Sequence, residues 1–267
     1  MSGILGELTT IGAGVGFCWL GNLGWLIYGD GLLVATDLDL DRADRIQPSP
    51  VPTAEIAPRL DVHLITHGHE DHFSSPTCAL LAEQSECVFV VPANCADKAR
   101  GLGVPEARLC VARPGESFDL LGLHVEPQRA LHGHWHGSVY RGANLEDCGY
   151  LLTLSGKRIL QPGDTVLLHD HLELADVHVL LISPTDHNMG VRQSTILINA
   201  LEPAFVFPQH FGTYVETDEN RYWTKGYPDE LKAVLPRPMR ERFHKLAQGE
   251  VYVVREMNPQ GRLGQPL

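Results

Sequence analysis

The sequence predicts an α/β or α+β fold. Apolar runs of strand length occur in two groups, one in each half of the chain. Stretches with helical spacing lie between many of them. An apolar fraction of 43% over 267 residues is enough to bury a sizeable core. Strands in runs with helices between them suggest two sheets, each covered by helices on its outer face. No short repeat, low-complexity segment or dividing linker interrupts the chain, so residues 1–267 read as one domain.

Three apolar segments at 15–20, 24–28 and 32–36 come first. Asn22 between Gly21 and Gly24, and the tripeptide Gly29-Asp30-Gly31, are hairpin signals, so the three form an antiparallel meander. Residues 38–60 carry Asp39, Asp41, Asp44 and four prolines, and read as a solvated acidic loop. The loop lacks EF-hand spacing and its closing Glu, which argues against a Ca²⁺ site. Next come a strand at 62–65, a helix at 75–84, a strand at 87–91, a helix at 93–102 and a strand at 108–111. Strands at 117–120, 123–127, 149–154, 158–161 and 177–182 follow. A helix at 193–201, a strand at 204–207, helices at 228–235 and 239–248, and a strand at 251–255 complete the expectation.

Between the strand at 62–65 and the helix at 75–84 stands Thr66-His67-Gly68-His69-Glu70-Asp71-His72. Neutral imidazoles and carboxylates are the ligands that suit Zn²⁺ and other first-row metals. At a strand end, His67, His69, Asp71 and His72 can all turn into one cleft, and Gly68 lets the backbone bend between two of them. Downstream lie His132-Gly133-His134-Trp135-His136, the turn Gly163-Asp164-Thr165, and Pro208-Gln209-His210. Gly-Asp alone is a weak signal, common in turns. His169 and His171 flank Asp170 without partner spacing and read as surface. His63, His124 and His178 sit within strands and read as core or flanking residues. His187 follows a strand, where it could orient substrate, donate a proton or cap the following helix.

The pattern His-x-His-x-Asp-His resembles the signature of the metallo-β-lactamase superfamily, and the resemblance spans nearly the whole chain. It implies a four-layer αββα sandwich with the metal site at one edge of the sheets. It also implies two divalent ions, Zn²⁺ or Mn²⁺ with Fe also open. His67, His69 and a third His would hold one ion, Asp71, His72 and a last His the second, with a bridging Asp shared. Pro127, Ala130 and His132 fit the third-ligand pattern best, with His134 as runner-up and His136 as a substrate-facing or supporting group. Asp164 fits the bridge and His210 the last ligand. Trp19-Leu20-Gly21-Asn22-Leu23-Gly24 resembles the opening of the L-ascorbate-6-phosphate lactonase-like subfamily, with Asn22 where that pattern often has His. An Asp at the position of Asp37 commonly supports the histidine loop in this family; the alternative is a solvated strand end.

The resemblance implies a metal-dependent hydrolase acting through a metal-activated hydroxide on a small ester, lactone or phosphoester, with Asp71 and Asp164 as catalytic carboxylates. A Glu in place of His69 and an added flavodoxin domain would mark the flavin-linked di-iron members; neither is present. A mononuclear iron dioxygenase and a non-catalytic metal-binding protein are the alternatives. Arg129, Arg141 and Lys225 could bind an anionic group, and Trp135, Tyr140, Tyr214 and Trp223 could line the pocket.

The formal net charge of −12 argues against nucleic-acid phosphates as partners. The basic run 237–242 reads as a solvated helix face. The six scattered cysteines lack any Cys-x-x-Cys, so buried free thiols are expected. The chain opens without a basic n-region or long apolar run. A cytoplasmic protein with no membrane span and a small-molecule substrate is therefore the expectation, and a homo-oligomer stays open.

Overall fold

A computed structural model describes residues 3–135 and 138–255. The chain enters through α1 (Gly3–Thr9) and then builds the meander β1 (Val15–Gly21), β2 (Gly24–Gly29) and β3 (Leu32–Thr36). The turns fall where the glycines predict them: Asn22 and Asp30 take left-handed φ values of 46° and 51°. Continuing the first sheet are α2 (Thr53–Ile56), β4 (Val62–Leu64), α3 (Ser75–Gln84), β5 (Val88–Pro92), α4 (Ala96–Gly101) and β6 (Leu109–Ala112). In the second half come β7 (Phe118–Leu120), β8 (Leu123–Arg129), β9 (Gly133–His134), β10 (Ser138–Val139), β11 (Cys148–Leu154), β12 (Lys157–Gln161) and α5 (His169–Leu172). They are followed by β13 (Val179–Ile182), α6 (Gly190–Leu201), β14 (Phe205–Pro208), α7 (Arg221–Thr224), α8 (Pro228–Val234), α9 (Arg237–Glu241) and β15 (Val251–Val254).

Two mixed sheets result, in the orders β15-β1-β2-β3-β4-β5-β6 and β14-β13-β12-β11-β8-β7. Strands β3 to β6 run parallel, as do β12 to β14. Side chains alternate between layers with the strand period of two. In β1 and β2, Phe17, Trp19, Trp25 and Ile27 join Tyr150, Leu152, Val179, Leu181, Phe205 and Phe207 in the core between the sheets. Cys18, Leu20 and Leu26 face outward beneath the α3 residues Cys78 and Leu81. On the far side, Leu160, Leu180 and Val206 pack against Leu197 and Ile198 of α6, Leu231 of α8 and Met239 of α9. This is the expected αββα sandwich.

Several segments differ from expectation. Inside 38–60 lies the one-turn α2 with a 3₁₀ turn at Ala57–Arg59, too short to show a period. That loop is not solvated throughout: Asp39 is buried beneath the Tyr214 hydroxyl, and Asp41 accepts from Thr77 Oγ1 at 2.8 Å. The helix expected over 239–248 is the shorter α9, because Phe243 bridges to Val206 and the His244 N–H donates to the Val206 carbonyl at 2.9 Å. The edge of β14 thus takes over backbone that would otherwise continue the helix. His171 is buried rather than on the surface, in contact with the Arg129 carbonyl oxygen at 2.9 Å, whereas His169 is exposed. Cys18, Cys78, Cys87, Cys95 and Cys148 are buried free thiols and Cys110 is half-buried. Among the described residues no helix is long and apolar enough to cross a membrane.

Candidate metal centre

The parallel strands of both sheets end on one side of the sandwich, and the predicted ligands stand on the loops that leave those ends. His67, His69, Asp71 and His72 follow β4, and Asp164 follows β12. His210 follows β14, and His132 lies between β8 and β9. Ligand atoms of His67, His69 and His132 lie within 4.8 Å of one another. So do those of His67, His72 and Asp164, of Asp71, His72 and His210, and of His132, Asp164 and His187. The groups interlock through His67, His72, His132 and Asp164. Asp164 Oδ2 lies 3.4 Å from His72 Nε2, 3.5 Å from His132 Nε2 and 3.3 Å from His210 Nε2.

A divalent cation suits this arrangement. His67 Nε2, His72 Nε2, His132 Nε2 and Asp164 Oδ1 are buried and have no hydrogen-bond partner. Buried polar atoms left unpaired are costly, and several converging ones mark a place for an ion. The charged groups shift one another strongly: burial would lower His72, but the Asp164 and Asp71 carboxylates hold it well above its ordinary value. Burial alone would raise the Asp164 carboxyl, but His210, His72 and His187 outweigh it and hold it well below the carboxylate range. Burial and neighbouring imidazoles push His69 down to about 4, into the neutral form that binds metals.

Surrounding groups aim the ligands. Asp37 stands at the end of β3 with φ 40° and is fully buried. Its Oδ1 accepts from the Thr66 N–H at 2.8 Å and its Oδ2 from Thr66 Oγ1 at 2.7 Å. The same Oδ2 lies 2.9 Å from His72 Nδ1, which leaves His72 Nε2 facing the cluster. Asp37 is thus packed against the histidine loop rather than solvated. Asn22, noted in the sequence only as a departure from a pattern, donates from Nδ2 to the Asp71 carbonyl at 2.8 Å and to Asp71 Oδ2 at 3.2 Å. Its carbonyl accepts from the His210 N–H at 3.0 Å, so one side chain and its backbone tie two candidate ligands together. Gly163 takes φ 68°, and a Cβ there would sit 2.9 Å from Thr66 Cβ. At Gly133 a Cβ would fall 1.8 Å from the His187 carbonyl oxygen. Both glycines let separate loops meet at the cluster.

A cavity of about 230 Å³ opens over the cluster, and His69, Asp71, His132 and Asp164 line its base. Tyr140, Tyr222, Trp223 and His134 line it as well. His134 is exposed and belongs to none of the four ligand groups. His136 lies outside the described residues. His187 is buried, with Nε2 2.7 Å from Asp164 Oδ2 and Nδ1 3.3 Å from the Tyr222 carbonyl oxygen. Of the residues expected to line the pocket, Tyr140 and Trp223 do. Tyr214 is buried against Asp39 instead. Arg129 pairs with Asp170 at 2.6 Å, and neither Arg141 nor Lys225 lines the cavity. Tyr222, the neighbour of Trp223, also lines the cavity although the sequence singled out only Trp223 of the pair.

The fold has counterparts among known proteins. A UPF0173 metal-dependent hydrolase of Carboxydothermus hydrogenoformans is 26% identical over 220 residues, covering 78% of this chain and 90% of that protein. One from Pelotomaculum thermopropionicum is 25% identical over 257 residues, covering 87% and 96%. The solved structure of Igni18, described as a metallo hydrolase from Ignicoccus hospitalis, superposes with a TM-score of 0.71 at 19% identity. That match covers 91% of this chain and 99% of that one. The family model described as a β-lactamase superfamily domain matches residues 16–210, a span that contains the meander, the histidine loop and His210. The chain therefore belongs to the β-lactamase superfamily.

Proposed function

We propose that this chain is a metal-dependent hydrolase of small esters, lactones or phosphoesters. His67, His69 and His132 would hold one divalent ion and Asp71, His72 and His210 a second, with Asp164 shared. The observation that carries the reading is the set of interlocking ligand groups with unpaired nitrogen and oxygen atoms turned inward. When bound, such ions lower the pKa of a coordinated water to about 7 and polarise the group under attack.

The protein's own part is positioning and proton management. Asp37 and Asn22 hold His72 and Asp71 in place. Asp71 Oδ2 lies beside His72 and His210 and borders the cavity, where it can take the proton that an attacking water gives up. His187 also borders the cavity, within reach of a leaving group. The lactonase-like placement rests on Trp19-Leu20-Gly21 and on Pro208-Gln209-His210.

Elemental analysis of the wild type and of Asp164→Ala tests the reading. Close to two zinc or manganese ions per chain, falling sharply in the variant, is the expected result. A single iron would shift the reading to oxygen chemistry, and no metal in either protein would overturn it.

A further inference from the structure

The resemblance implies seven ligand side chains, His67, His69, Asp71, His72, His132, Asp164 and His210, and leaves His187 out. The structure brings His187 among them. Its ligand atom lies within 4.8 Å of those of His132 and Asp164. Its ring centre stands 5.3 Å from that of His132 and 5.2 Å from that of His210, between imidazoles that come from two other loops. The residue is only 3% exposed. Backbone contacts hold the segment in place. The His187 N–H donates to the Tyr222 carbonyl at 3.1 Å, and the Asn188 N–H donates to the Thr185 carbonyl at 3.1 Å. The His187 carbonyl packs so closely on Gly133 that a Cβ there would fall 1.8 Å from its oxygen.

The two ring nitrogens face different groups. Nδ1 lies 3.3 Å from the Tyr222 carbonyl oxygen. A carbonyl offers only lone pairs, so Nδ1 carries the hydrogen and a neutral ring has a bare Nε2. The Asn188 side-chain nitrogen, a donor, lies 3.2 Å from Nε2, which agrees with a lone pair there. Yet Nε2 is also 2.7 Å from Asp164 Oδ2, a carboxylate oxygen that again offers only lone pairs. Two buried acceptors this close repel each other unless a positive charge lies between them. Other rings of the cluster are arranged in the same way. His72 Nδ1 faces Asp37 Oδ2 at 2.9 Å and His132 Nδ1 faces the Gly133 carbonyl oxygen at 2.6 Å, and each leaves a buried Nε2 without a hydrogen-bond partner. An outer hydrogen bond from one ring nitrogen is the usual mark of a metal-bound imidazole.

We propose that His187 is an eighth metal ligand, bound through Nε2 to the ion held by His67, His69 and His132. The proposal rests on the two-ion site of the hydrolase reading and adds to it. That ion would then have four imidazoles besides the shared Asp164, against two imidazoles and Asp71 for the second ion. Imidazole suits zinc, iron and copper, so the richer set should fill first. A ring bound at Nε2 has no proton there to give, so His187 acts on the reaction through the ion rather than as a proton donor.

The test counts bound imidazoles. Protein labelled with ¹⁵N at histidine is loaded with ¹¹³Cd²⁺, a spin-bearing stand-in for Zn²⁺, and one-bond ¹¹³Cd–¹⁵N couplings report which rings are ligands. Six coupled rings are expected: His67, His69, His72, His132, His187 and His210. His187→Gln should remove one coupled ring, keep those of His72 and His210, and weaken binding of the first ion about tenfold or more. The double variant His134→Gln/His136→Gln should keep all six, which secures the count if His187→Gln fails to fold. Two bound ions with five coupled rings would overturn the proposal and leave the two-ion site standing, with a proton between Nε2 and Oδ2 in place of the metal. A count that His187→Gln leaves unchanged, or that the double variant lowers, would overturn it equally. A protein that takes up neither Cd²⁺, Zn²⁺ nor Mn²⁺ would overturn both the proposal and the hydrolase reading.

Discussion

Asp37 touches no ligand cavity, yet three of its contacts converge on the histidine loop: the Thr66 N–H, the Thr66 hydroxyl and His72 Nδ1. A carboxylate behind an imidazole fixes the ring and raises its basicity toward a metal. Asp37→Ala should weaken metal binding by about 10–100-fold, read by competition with a chromophoric chelator. Unchanged affinity would mean that the loop backbone alone aims His72. The parts of the site legible in the sequence are those whose signal is local. His67, His69, Asp71 and His72 share one loop, whereas Asp164 and His210, just past the ends of β12 and β14, were singled out only through the family resemblance. Asn22 was illegible as a support for Asp71, because the two lie 49 positions apart and meet only when β1 and β4 join one sheet. His187 was left among three roles, and its 2.7 Å approach to Asp164 now puts it at the cluster.

At the scale of the element, β4 carries a buried histidine whose chemistry is separate from the cleft. His63 is fully buried, its Nε2 accepts from the Leu38 N–H at 3.2 Å, and burial pushes it down to about 3. Below pH 6.5 the unfolded chain takes up a proton on this side chain, and the folded chain refuses it until about pH 3. The stability tied to neutral His63 is therefore complete above pH 6.5 and lost as pH falls. Its loss should reach about 1.4 kcal/mol per pH unit below that point. In urea titrations at pH 7, 6 and 5, His63→Leu should show a shallower fall than the wild type. Parallel curves would show that another group sets the acid limit. Apolar runs bounded by turn residues made β1 to β5 and β11 to β14 readable to within a residue or two. One-turn helices such as α2 and α7 carry no period, and α9 is cut short by a pairing with β14 that local sequence cannot report.

Across the whole molecule, the two sheets share one core and one cluster of candidate ligands. Asp71 and His72 hang from the first sheet, and Asp164 and His210 from the second, so an ion held among them would bind the sheets to each other. The order of pairing has a further effect. β15 pairs with β1, with Val254 opposite Val15 and Val251 opposite Cys18. That contact closes a loop of nearly the entire described chain, and long loop closures slow folding. A circular permutant that carries residues 251–254 ahead of residue 15 through a short Gly-rich turn should refold faster than the original order in stopped-flow fluorescence. Equal rates would show that β15 docks after the limiting step. On a ribosome, β1 waits with one edge bare until β15 has been made. Throughout that interval the nascent chain presents unpaired N–H and C=O groups to neighbouring chains, an open template for aggregation that the arrival of β15 removes.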